Sequence, residues 1–346
     1  MTALTTTAQL LDAGLISAEQ VAAVEAVSAR YAVSVTEAVA RLIDPADPDD
    51  PIARQYIPDA AELLRLAEER DDPIGDHAHS PVAGIVHRYR DRVLLKAVHV
   101  CPVYCRFCFR REMVGPEGEG MLAGDALEAA LAYIAGHPEI WEVIITGGDP
   151  LVLSPRRLDA LMAALGRIEH VKVIRFHSRV PVVDPDRIDA SLVAALKASG
   201  KTVYVALHAN HPRELTSAAT RACALLIDAG IMMVSQSVLL AGVNDDADVL
   251  AELMRRFVEL RIKPYYLHHP DLAPGTSHFR LSIEAGRAIV EALRSRVSGL
   301  CMPAYILDTP GGSGKVQLAE SPVKAIGEGA YAITDRHGAT HSYEDL

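Results

Sequence analysis

From about residue 85 the chain alternates short apolar runs with longer amphipathic stretches. Runs of β-formers at 92–98, 142–146, 171–176, 202–207, 231–238 and 263–268 read as strands. Apolar residues recur at helical spacing over 121–136, 155–167, 185–199, 213–229, 245–260 and 282–299. Strands alternating with helices of this length predict an α/β fold with a parallel sheet and right-handed crossovers. Six units are too few for an eight-stranded barrel, and an open partial (β/α)6 barrel fits. The site then belongs at the C-terminal ends of the strands, where the loops gather.

The first 80 or so residues follow a different pattern. Ser17-Ala18-Glu19-Gln20 fits a capping box ahead of a stripe at Val21, Val24, Val27 and Tyr31. A second helix is expected over 35–43, and a charged one over 59–70. Between them Asp44-Pro45-Ala46-Asp47-Pro48-Asp49-Asp50-Pro51 cannot continue a helix, and Asp71-Asp72-Pro73 is another breaker. The expected organisation is an N-terminal helical region (1–84), the barrel (85–300) and a C-terminal segment (301–346). The helical region reads as a cap over a sheet edge or an oligomerisation element rather than a regulatory module.

Composition narrows the function. Net charge is −11 with no long basic run, so nucleic acid is not an expected partner. No apolar run near 20 residues and no signal peptide are apparent, so the expected setting is cytoplasmic, off the membrane.

The chemistry begins with Cys101-Pro102-Val103-Tyr104-Cys105-Arg106-Phe107-Cys108, at the tip of the 92–98 strand. Thiolates are the usual ligands of iron–sulfur clusters, and three cysteines leave one iron of a 4Fe–4S cube open to a small molecule. A structural zinc normally takes four protein ligands, and no second cysteine pair is present. Cys223 and Cys301 stand singly in apolar contexts and read as buried small hydrophobes.

Other strand tips are polar. Thr146-Gly147-Gly148-Asp149-Pro150 lets backbone approach a ligand closely. Arg175 and His177, then His208, Asn210 and His211, then Ser235 and Gln236 follow on later tips. His268 and His269 are adjacent, which on a strand turns them to opposite faces and argues against a shared metal. Asp308-Thr309-Pro310-Gly311-Gly312-Ser313-Gly314-Lys315 misses the P-loop spacing. Its lysine is either a solvated residue in a tight turn or a Schiff-base lysine for pyridoxal 5′-phosphate (PLP).

The CxxxCxxC spacing, with an aromatic residue before its last cysteine, resembles the radical S-adenosylmethionine (SAM) superfamily. Ser80 to Gly84, His87 to Arg92, the cysteines with Arg110-Arg111, and the Gly-rich lysine segment together resemble the lysine 2,3-aminomutase family. The likeness runs in order from about Ile43 to the C-terminus. It implies a radical SAM partial barrel, a cluster on Cys101, Cys105 and Cys108, and SAM at Gly147, Gly148, Asp149, His208 and Gln236. It further implies PLP on Lys315, anchored by Tyr89 and Arg92. Arg110 would pair with the substrate carboxylate, and Asp271 with Asp308 would hold its ε-ammonium.

The implied activity is that of an isomerase converting L-lysine to β-lysine, with a flavodoxin- or ferredoxin-like electron donor and a homo-oligomeric assembly. Physical chemistry agrees in two places. A planar guanidinium suits a carboxylate bidentately. Two carboxylates sharing a buried site repel unless a cation lies between them, and a glutamate substrate would need a different charge there. The alternatives are the shorter sister enzyme that makes (R)-β-lysine for elongation factor P, and an aminomutase for another amino acid. The extra cysteines with which longer aminomutases hold a structural zinc are missing, so no zinc is expected.

Overall fold

The computed structural model describes residues 3–115, 120–335 and 338–345. One nine-stranded sheet runs in strict sequence order. Its strands are β1 (Ile85–Tyr89), β2 (Arg92–Val98), β3 (Glu142–Gly147), β4 (Val173–Ser178), β5 (Thr202–His208), β6 (Met232–Val238), β7 (Lys263–His268), β8 (Ala304–Asp308) and β9 (Lys315–Gln317). From β2 to β8 each strand pairs parallel with the next. β1 and β9 add antiparallel edges. The sheet curls into a partial barrel, as the alternation predicted, and brings its edges together: Lys315 N–H donates to Tyr89 Oη at 2.9 Å.

Crossover helices cover the outside because each carries an apolar stripe. In Ala247–Glu259, Leu250, Leu253, Met254 and Phe257 are buried, each such side chain contributing about 1.5–3 kcal/mol. Side-chain caps start several helices: Asp189 accepts from Leu192 N–H, Thr216 from Ala219 N–H and Ser282 from Ala285 N–H. The Asp189 cap explains why the 185–199 prediction shortens to Ala190–Lys197, with Pro185–Arg187 a separate turn.

Three sheet strands were missed by periodicity. β1 forms a tight hairpin with β2, Tyr89 facing Arg92; Val86, Arg88 and Tyr89 line the cavity while His87 turns out to Tyr133, so polar residues fall on both faces and no apolar alternation shows. β8 is a seventh parallel strand, and β9 returns beside it with Asp308 opposite Lys315. They span only five and three residues, too few for a period to register. Farther on, β10 (Val323–Gly327), β11 (Ala330–Thr334) and β12 (Thr340–Glu344) form a separate antiparallel sheet.

The N-terminal segment is less helical than predicted. The 59–70 helix reduces to one 3-10 turn, Ala60–Leu63. Its acidic residues are drawn to the barrel instead: Glu62 is buried against Arg106 and Arg111, and Glu69 accepts from Arg280. The 35–43 helix shrinks to Glu37–Ala40. Of the box at Ser17, only the return bond forms, Ser17 N–H to Gln20 Oε1 at 2.8 Å, and the helix Val21–Ser28 has no side-chain N-cap.

Candidate active site

The strand tips enclose a cavity of about 250 Å³, and every site residue singled out from sequence lines it. Of the other polar tip residues, Arg175 and His177 line it as well, whereas Asn210, His211 and Ser235 turn into the protein. His268 faces the cavity, and His269 turns away to Tyr305 Oη at 2.7 Å, as their adjacency required.

The cysteines follow β2 on a loop held from below. Arg106, between two of them, is 2% exposed and donates from Nε to both Glu62 carboxylate oxygens at 2.9 and 3.0 Å. Arg111 joins the same carboxylate. Burial raises the Glu62 carboxyl, but the two guanidiniums outweigh it and hold its pKa below the usual range. All three loop thiols are free and half-buried. Burial and the neighbouring acidic groups push Cys101 well up, and burial with Cys105 pushes Cys108 up to about 11. Ionising such thiols requires a cation among them, which a cluster supplies. The donor set therefore fits an iron–sulfur group with three protein ligands.

The glycines after β3 are fixed by the protein itself. A Cβ on Gly148 would stand 2.2 Å from Val100 O, and Gly147 has φ +109. Asp149 is saturated: its carboxylate accepts from Leu151 N–H at 3.0 Å, Ser178 Oγ at 2.8 Å, Arg179 N–H at 2.7 Å and Val180 N–H at 3.2 Å. Burial still raises its pKa. The Gly-Gly-Asp turn thus welds β3 to the tip of β4 and leaves backbone, rather than the carboxylate, to meet a ligand.

The lysine side is less complete. Lys315 Nζ lies 2.6 Å from Asp308 Oδ2, and Asp308 Oδ1 has no hydrogen bond, with Arg88 Nη1 3.7 Å away. Burial and the Asp308 charge push Asp271 up to about 7. Two buried imidazole nitrogens, His177 Nε2 and His208 Nε2, also lack hydrogen bonds. Burial pushes both rings well below the ordinary imidazole range, so they are neutral. Tyr89 lies beneath the Arg92 guanidinium, 3.8 Å from ring centroid to Cζ. A lysine, an arginine beside an aromatic ring and unpartnered polar atoms could together receive a phosphate-bearing aromatic cofactor.

Arg110 is gripped by Asp76, from Nε at 3.1 Å and Nη2 at 2.9 Å, with Arg88 3.5 Å away on the other oxygen. Burial raises Asp76, and Arg110, Arg88 and Lys96 together lower it further than that. Sequence reasoning missed Asp76, Arg88, Glu62, Arg179 and Glu214. Glu62 and Glu214 lie in segments read as helices and Asp76 in one given no role, and only the folded contacts reveal them.

The Radical SAM superfamily profile matches residues 95–254. The chain is 40% identical over 313 residues to the L-lysine 2,3-aminomutase of Clostridium subterminale, spanning 90% of this chain and 75% of that relative. The chain belongs to the lysine 2,3-aminomutase family. Membership of the radical SAM superfamily brings SAM and a 4Fe–4S cluster as cofactors. The L-lysine 2,3-aminomutase of Escherichia coli (strain K12) is 36% identical over 288 residues, 83% of each chain. The glutamate 2,3-aminomutase of Clostridioides difficile (strain 630) is 34% identical over 304 residues, 88% of this chain and 71% of that one. Overall identity within the family therefore does not choose the substrate; charge in the cavity must.

Proposed function

We propose that the protein is an L-lysine 2,3-aminomutase, an isomerase dependent on SAM, a 4Fe–4S cluster and PLP. The observation that carries this reading is one cavity lined both by Cys101, Cys105 and Cys108 and by Lys315, Asp308 and Asp271. In this reading the three thiolates hold the cluster, the β3 turn with His208 and Gln236 receives SAM, and Lys315 binds PLP covalently. Arg92 meets the PLP phosphate while Tyr89 flanks the cofactor. Together the bound cofactors supply a carbon radical and a π-system across which the substrate nitrogen moves from C2 to C3.

The remaining work falls to the protein. Arg110, already oriented by Asp76, presents its guanidinium to the substrate carboxylate. Lys315 Nζ donates to Asp308 Oδ2 at 2.6 Å. With Lys315 holding PLP, the substrate ε-ammonium would pair with Asp308 in place of the lysine Nζ. Its arrival also favours the ionised form of Asp271, which gives up its proton. Enclosure by the strand tips keeps water from the reacting carbon. A cytoplasmic setting, a flavodoxin- or ferredoxin-like reductant and a homo-oligomer complete the proposal.

Anaerobic reconstitution with iron, sulfide, PLP, SAM and reductant, followed by L-lysine and chiral chromatography, tests it. β-Lysine with SAM regenerated supports the reading, and the product's hand separates it from the (R)-β-lysine-forming sister. SAM cleavage with no β-lysine refutes it.

A further inference from the structure

Arg179 follows the tip of β4 and is 5% exposed. Its Nη1 donates to Cys105 Sγ at 3.0 Å. Its Nη2 donates to Gln55 Oε1 at 3.1 Å and to Glu214 Oε2. The guanidinium stands 5.0 Å from the Tyr56 ring and 5.4 Å from the Phe107 ring. Glu214 is 1% exposed and is fixed by other donors: Asn210 N–H at 2.8 Å, His211 N–H at 2.9 Å and Tyr56 Oη at 3.2 Å. A rigid, desolvated cation is thus held against one loop sulfur, with a rigid anion directly behind it.

We propose that Arg179 raises the reduction potential of the cluster on the cysteine loop, and that Glu214 restrains it. The inference rests on the reading of Cys105 as a cluster ligand. Reduction adds one electron to a group already surrounded by thiolates. A cation and an N–H···S bond stabilise the reduced form more than the oxidised form, so both raise the potential. A buried anion nearby does the reverse, and low local polarity strengthens both effects. Gln55 and Tyr56 come from the N-terminal segment, on the helix Ala53–Tyr56. That segment therefore takes part in setting the potential as well as covering the barrel.

The test is a potentiometric titration of the reconstituted cluster, read by electron paramagnetic resonance of its reduced form, with iron, sulfide and circular dichroism measured on the same samples. At the potential where the native cluster is half reduced, Arg179→Gln should lower the ratio of reduced to oxidised cluster about tenfold, or about 59 mV for a one-electron couple. Glu214→Gln should raise the ratio by a similar factor. Arg179→Lys, which keeps the charge and loses the fork, should fall between Arg179→Gln and the native protein. A merely structural role would lower cluster content without moving the potential of the remaining cluster in opposite directions. Should Arg179→Gln not fold, Glu214→Gln decides by its sign. Ratios within about twofold of native in the folded variants, or shifts of one sign in both, would overturn the proposal. A native protein that binds no cluster would overturn the cysteine-loop reading with it, and iron analysis tells that result apart from a bound cluster of unmoved potential.

Discussion

Acidic groups around the cysteine loop and those around Lys315 are finished in opposite ways. Glu62, Asp149 and Glu214 each accept from several protein donors and are buried. Asp308 has one oxygen without a hydrogen bond, and Asp271 is pushed up to about 7 by burial and by its neighbour's charge. A saturated carboxylate holds the fold in place. An unsaturated pair in a cavity carries a standing electrostatic cost that a cationic ligand removes. The carboxylates beside the cysteine loop are thus satisfied by the protein alone, and those beside Lys315 are completed by what binds there.

The strongest way to break this contrast is Lys315→Ala. PLP absorbance should vanish and turnover should fall about 10³-fold or more, while iron and sulfide content stays native. Cluster loss in that variant would show that the two sides are not independent. Next in size, Glu62→Gln removes the shared partner of two buried arginines and should destabilise the fold by about 3–5 kcal/mol, read by denaturant unfolding of the apoprotein. A change within 0.5 kcal/mol, roughly the scatter of surface substitutions, would deny that this acid is structural.

A smaller effect is expected from Asp308→Asn, which keeps the shape and loses the charge. kcat/KM for lysine should drop about 10- to 100-fold, mostly through KM, as suits one charge-assisted contact. Smallest is the pH effect of Asp271. Its folded pKa is raised, so its contribution to stability is present below its ordinary value of 3.8 and is lost as pH rises through about 7. For the same reason the ε-ammonium must displace a proton at low pH, and KM for lysine should fall several-fold between about pH 6 and 8. Asp271→Asn should flatten that profile, and an unchanged slope would remove Asp271 from the substrate site.

The same contrast explains what was legible in the sequence. The parallel strands were readable because Val, Ile and Leu runs bounded by turns report burial directly, as in Val143, Ile144 and Ile145. The cysteine spacing and Gly311 to Lys315 were readable because local chemistry sits in contiguous residues. The supports were not. Glu62 meets Arg106 across 44 positions and Gln55 meets Glu214 across 159, and nothing local in either segment announces the partner. The 59–70 stretch was read as a charged helix for the same reason: nothing local shows that Glu62 and Glu69 are anchors to Arg106 and Arg280.

The most direct test of the account is a competition. Equimolar L-lysine and L-glutamate, each labelled with 15N at the α-amino group, would be offered together to the reconstituted protein and the β-amino acids resolved by mass spectrometry. Asp271 and Asp308 predict β-lysine in excess by at least about 100-fold, because glutamate would set a third carboxylate against the pair that lines the cavity. A predominance of β-glutamate would contradict the account.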